Sequence, residues 1–165
     1  MSFPRPLQRV SLDQGQTAFS FGAARSDELS ELVELLGVLF SQEAEFKPDA
    51  AKQASALRTI LSKPATGTVY VAREEGRVIA MASLLYTVST AEGGPAALFE
   101  DLIVHPAHRG RGIASALVRF VIEEARRRGI LRLTLLTDMQ NDRAQALYRR
   151  LGFADSSMKP MRLRL

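Results

Sequence analysis

A chain of 165 residues with 46% hydrophobic content has enough apolar material for one continuous core, and it contains no apolar run near the roughly 18 to 20 residues that span a bilayer. The absence of cysteine excludes disulfides, thiolate zinc sites and a cysteine nucleophile, so any group transfer must use another residue or proceed directly. The net charge of +4 is unevenly divided: residues 1–104 carry 9 Lys and Arg against 13 Asp and Glu, and residues 105–165 carry 13 against 5, which suits an anionic partner for the second part and a cationic one for the first, unless the charges only solvate helix faces.

The start, Met1 to Pro6, lacks the apolar stretch of a secretory signal, so a soluble, cytoplasmic protein is expected, with residues 1–16 a tail or the lead-in to a first strand. Thr17 to Ala24 is apolar, small and partly alternating, and reads as that strand. Ser26, Asp27 and Glu28 open a helix in which Leu29, Leu32, Val33, Leu36 and Phe40 share one face. A second helix is predicted from about Asp49 to Leu61, closed by Pro64. Thr68–Arg73 and Arg77–Val88 read as strands joined by the turn Glu74-Glu75-Gly76, and Gly93-Gly94-Pro95 marks a turn before a strand over Ala97–Val104. The pattern then becomes strand, helix, strand, helix: Gly112–Arg128 is a helix apolar nearly all round, Leu131–Thr137 a strand and Asn141–Arg150 a helix. A last strand is predicted within Met158–Leu165, where Met161, Leu163 and Leu165 alternate with Arg162 and Arg164. The sum is one α/β domain over 1–165, a mixed sheet with helices on both faces.

The chemistry concentrates in Val104-His105-Pro106-Ala107-His108-Arg109-Gly110-Arg111-Gly112-Ile113-Ala114, a strand end, a glycine-bearing loop and a helix start. Gly110 and Gly112 allow close backbone approach, the first helical turn offers free N–H groups, and Arg109 and Arg111 add positive charge, so a pyrophosphate suits the loop. No G-x-x-x-x-G-K-[ST] is present. Gly110-x-Gly112-x-x-Ser115 resembles a degraded dinucleotide fingerprint, but five residues separate it from Val104 and only one crossover unit exists. An ordinary loop with a capped helix is the plain alternative.

The segment Arg109-Gly110-Arg111-Gly112-Ile113-Ala114 resembles the coenzyme A loop [Q/R]-x-x-G-x-[G/A] of the GNAT superfamily of N-acetyltransferases. Glu100–Pro106 is similar to that family's fourth strand, and Asn141–Phe153 to its last conserved helix and exit. The resemblance is specific from about Phe99 to Phe153. It implies a largely antiparallel sheet with a splayed strand pair, acetyl-coenzyme A (acetyl-CoA) as donor without a metal, an amine as acceptor, and a homodimer. It also implies that the amides from Arg109 to Ala114, with Ser115 beside them, hold the pyrophosphate. Ile103 and Val104 would pair with the pantetheine arm, and an N–H near Leu102 or Ile103 would polarise the thioester carbonyl.

Tyr148 would protonate the departing thiolate, although a core aromatic is the alternative reading. Glu100 is the candidate general base, or else a structural or substrate-orienting carboxylate, with Asp101 expected on the opposite face of the strand. Asn141 is a helix cap or a pantetheine partner, and the two roles are compatible. His105 and His108 lack a third ligand and sit beside arginines, so no metal is expected. Glu28, Glu31, Glu34, Glu43, Glu45 and Asp49 suggest a cationic acceptor. The competing readings are a nucleic-acid-binding module using Arg126, Arg127, Arg128, Arg132, Arg149 and Arg150, which lacks interleaved aromatics, and a coenzyme A sensor without activity.

Overall fold

The computed structural model describes residues 8–10, 19–42 and 45–165, with side chains from Phe19 onward. Among the described residues, six strands form one sheet in chain order: β1 (Gln8–Val10), β2 (Phe19–Ala23), β3 (Gly67–Glu74), β4 (Arg77–Ser89), β5 (Gly94–Val104) and β6 (Arg132–Leu135). Neighbours are antiparallel except β5 and β6, which run parallel because α3 (Ile113–Arg127) crosses over between them. The other helices are α1 (Leu29–Gln42), α2 (Ala50–Ser62) and α4 (Asp142–Arg150).

The runs Val69–Ala72 in β3 and Val78–Leu84 in β4 are buried throughout rather than in alternation, because helices cover both faces of the sheet. On one face, Phe21, Tyr70, Leu84 and Phe99 pack with Leu117, Val118 and Val121 of α3. On the other, Val69, Val71, Met81 and Ile103 pack with Leu32, Leu35 and Leu36 of α1 and Leu57 of α2. The helix read as apolar all round buries a stripe instead, Ile113, Leu117, Val118, Val121 and Ala125, while Phe120 is half-buried and stacks on Phe21 at 5.8 Å. The turn between β3 and β4 is Glu75–Gly76, both with positive φ (50° and 81°), as a two-residue hairpin with right-twisted strands requires.

Two expectations change, one at each end of the chain. The stretch read as a tail or the lead-in to a first strand contains β1, which pairs with β2. The predicted strand over Thr17–Ala24 is β2, with Thr17 and Ala18 outside the described residues. Met158–Leu165 forms no strand: it is irregular, with Met158, Met161, Leu163 and Leu165 between 81% and 116% exposed. Alternation fixes which face a residue shows once a strand forms, but supplies no partner for its backbone. Arg162 instead bonds Glu45 and lies over the Phe46 ring at 5.7 Å, tying the C-terminal segment to the connection between α1 and α2.

The expected helix start at Ser26 is a 3-10 turn. Its Glu28 is buried and bonds the Arg25 N–H at 2.6 Å and the Arg73 guanidinium at 2.5 and 2.8 Å, fastening α1 to β3. Among the described residues no helix is long and apolar enough to cross a membrane.

Candidate active site

The sheet opens where the sequence places its chemistry. Pairing of β5 with β6 runs from Ala96–Arg132 to Phe99–Leu135 and stops, while β5 continues to Val104. Among the described residues, Glu100–Val104 therefore has a strand on one side only. This is the splay that the resemblance implied. Such an edge can take an extended ligand arm as an added strand.

The edge is not regular. Ser83 pairs with Glu100 and Met81 with Ile103, so Asp101 and Leu102 together stand opposite Ala82. This is a β-bulge, and its first residue, Asp101, has φ +57°, the left-handed region usually taken there by glycine. The extra residue reverses the alternation: Phe99 and Leu102 both face the α3 side, whereas Ile103 faces α1. Asp101 accepts a hydrogen bond from the Ser83 hydroxyl at 3.3 Å, and Ser83 is the cross-strand partner of Glu100. Partners across a ladder share a face, so Glu100 and Asp101 lie on the same face, contrary to the simple alternation expected from the sequence.

Beyond β5, the loop reaches α3 through Gly110 (φ 79°) and Gly112 (φ 76°), the latter capping the helix without a side chain. A residue with a β-carbon is strained at these angles, which explains the glycine spacing. His108 and Arg109 donate their backbone N–H groups to His105 and Pro106, and Ala116 donates to Gly112. Among the described residues, the N–H groups of 110–115 have no partner. Six consecutive free amides at a helix N-terminus can together receive an anion.

The arginines behave differently from the expectation of two charges beside the cradle. Arg111 turns back to Glu74 at the end of β3, with bonds of 2.7 and 3.1 Å, and lies over the Phe19 ring at 4.8 Å. Its charge is thus met by a carboxylate; the long-range pairing fixes the loop to the sheet. His108 joins the same carboxylate at 2.8 Å. Arg109 reaches the Val104 carbonyl at 3.1 Å and Gln42 at 3.4 Å, so that carbonyl is engaged and only part of the Ile103–Val104 edge is open to a ligand.

Tyr148 on α4 stands at the other end of the opening. Its ring meets Phe99, the last β5 residue paired with β6, edge-on at 6.1 Å, and Phe153 at 5.7 Å. The helix ends with Phe153 donating its N–H to the Tyr148 carbonyl, which folds Phe153 back onto the ring. Burial pushes the Tyr148 phenol up to about 12. Asn141 caps α4, its side chain accepting from Ala144 N–H at 3.0 Å.

The acidic residues of the N-terminal part are mostly committed elsewhere. Glu28 holds Arg73, Glu31 accepts from Val78 N–H, Glu45 holds Arg162 and Asp49 caps α2; Glu43 lies outside the described residues. The arginine cluster is similarly dispersed. Arg126 and Arg127 bond Glu123 and Glu124, Arg128 lies over Tyr86, and Arg132 and Arg149 bond Glu92 and Asp155. Sequence reasoning missed the bulge, the Ser83–Asp101 bond and Glu74, whose partners stand 37 residues or so away and carry no local pattern.

The sheet thus opens between two parallel strands, with the free helix N-terminal amides beyond one end of the opening and the half-buried Tyr148 ring at the other. The chain belongs to the Acetyltransferase (GNAT) family, whose sequence model matches residues 29–153. It is 35% identical over 89 residues to N-acetyltransferase family 8 member 2 of Rattus norvegicus, covering 54% of this chain and 39% of that protein. It is 29% identical over 128 residues to glucosamine 6-phosphate N-acetyltransferase of Trypanosoma brucei brucei, covering 76% and 82%. The chain thus spans less than half the length of the rat relative and most of the trypanosome one. In fold it is similar to the crystal structure of a possible acetyltransferase from Clostridium difficile 630, with a TM-score of 0.81 at 18% identity, covering 89% of this chain and 97% of that one.

Proposed function

We propose that the chain transfers an acetyl group from acetyl-CoA directly to a primary amine of a small molecule or peptide. The observation that carries this reading is the placement of Tyr148 against Phe99, the residue at which β5 and β6 part, with the free amides of 110–115 beyond the far end of the same strand edge. The amides would hold the pyrophosphate, and the open edge of β5 beyond Phe99 would pair with the pantetheine arm. These contacts would set the thioester beside the bulge.

Glu100 would take the proton of the ammonium acceptor, directly or through water. The amine nitrogen then bonds the carbonyl carbon, an N–H at the bulge near Leu102 stabilises the oxyanion, and the carbon–sulfur bond breaks as Tyr148 supplies a proton to sulfur; the nitrogen releases its second proton to solvent, from which Tyr148 regains its own. With no cysteine in the sequence, a cysteinyl acetyl-enzyme is excluded, which supports direct attack within a ternary complex. The acceptor's positive charge is supported less by the N-terminal acids, most of which have partners, than by Glu100 on the stretch of β5 beyond its pairing with β6.

Free thiol release from acetyl-CoA, followed over a panel of neutral, monocationic and polycationic amines, tests this. Double-reciprocal plots that intersect, with cationic amines preferred, are expected. Parallel lines overturn the direct mechanism, and equal turnover of neutral and cationic amines removes the charge preference.

A further inference from the structure

The bulge in β5 holds a residue in a conformation that costs it strain. Asp101 has φ +57° at the bulge position that glycine fills most easily, yet it is Asp. Glycine would reach this angle freely but would leave the bulge without an anchor. The aspartate has one in Ser83, which is fully buried on the adjacent strand and donates its hydroxyl to the Asp101 carboxyl at 3.3 Å. The bulge decides which residues face which side, because one extra residue inverts every later position. Leu102 and Val104 pack toward α3 and Ile103 toward α1 only while the extra residue stays at 101.

We propose that Asp101 is a positioning residue for acyl transfer, its side chain clamped by Ser83 so that the bulge holds the adjoining Leu102 amide at the thioester carbonyl. This rests on the acetyl-CoA reading above. Asp101 itself exchanges no proton with the acceptor. Its neighbour Glu100 shares the face, and the two carboxyls thereby divide the work, one for the proton and one for the backbone.

The test is calorimetric binding of acetyl-CoA and of S-ethyl-coenzyme A, a thioether without the carbonyl, to the full chain. The wild-type protein should prefer acetyl-CoA by about 3- to 10-fold, the worth of one hydrogen bond. In Asp101→Ala and in Ser83→Ala the preference should fall to about one-fold, with the thioether bound as in wild type. In Asp101→Asn, which keeps an acceptor and tolerates the left-handed region, it should persist, as should the pH profile of thiol release. Ser83→Ala removes one buried oxygen and decides the matter if Asp101→Ala does not fold. A preference retained in Ser83→Ala, absent from wild type, or lost in Asp101→Asn overturns the clamp. A wild-type protein that binds neither compound overturns the acetyl-CoA reading instead.

Discussion

Tyr148→Phe is expected to lower kcat by roughly 10²- to 10⁴-fold, the usual worth of a positioned general acid, while leaving acetyl-CoA affinity unchanged. Phenylalanine keeps the ring against Phe99 and Phe153, so the change removes the hydroxyl and little else. Burial pushes the phenol up to about 12, and the neutral, proton-bearing form therefore persists throughout the working range. The same shift makes the phenol a weak acid toward a thiolate whose acid has an ordinary value of about 8.5, a gap of roughly 3.5 units or about 5 kcal/mol. The gap narrows in the site because a buried thiolate is itself desolvated and holds its proton more tightly. The proton thus moves as the carbon–sulfur bond breaks and not before it. Any alkaline loss of rate set by Tyr148 should begin only as the pH approaches about 12, since a raised value postpones the loss of its proton. Steady-state kinetics of the variant check this, and a kcat within about threefold of wild type would make Tyr148 a core aromatic only.

Gly112→Asp is expected to weaken acetyl-CoA binding by roughly 10²- to 10³-fold, from the few kcal/mol between like charges about 4 Å apart near a protein surface. Gly112 precedes α3 at φ 76°, a conformation that Asp tolerates better than most residues, and a β-carbon there meets nothing within 4 Å. A carboxylate at this position also sets a negative charge against the amides that would otherwise face a pyrophosphate. The fold should survive and the donor site should not. Calorimetry together with a thermal melt separates the two: an intact fold with undiminished acetyl-CoA affinity would place the pyrophosphate elsewhere.

Both residues behind these expectations are legible in the sequence because their signals are local. The glycines at 110 and 112 mark a backbone that only a tight strand-to-helix turn uses, and the run Ala144 to Phe153 carries Tyr148 on the face shared by Ala144, Leu147 and Leu151. The bulge is not legible. Phe99-Glu100-Asp101-Leu102-Ile103-Val104 reads as uninterrupted strand, and only pairing with Met81 and Ser83 shows where the extra residue stands. The same holds for Arg111, which as a neighbour of two glycines suggests a phosphate ligand, whereas a carboxylate 37 positions earlier claims it. Met158–Leu165 shows the converse failure, a strand pattern that finds no ladder. Periodicity constrains the side chains of an element, while pairing, bulges and ion pairs depend on what the fold brings alongside.

If the loop from Arg109 to Ala114 and the open edge of β5 receive acetyl-CoA, the melting temperature should respond to acetyl-CoA and not to the controls, NADH and a short DNA duplex. At about 100 times its dissociation constant the ligand should stabilise the fold by about 2.7 kcal/mol, raising the midpoint by roughly 5 to 10 °C, while the controls leave it unmoved. No shift with acetyl-CoA and a clear one with DNA would contradict the account and return the loop and the dispersed arginines to a nucleic-acid partner.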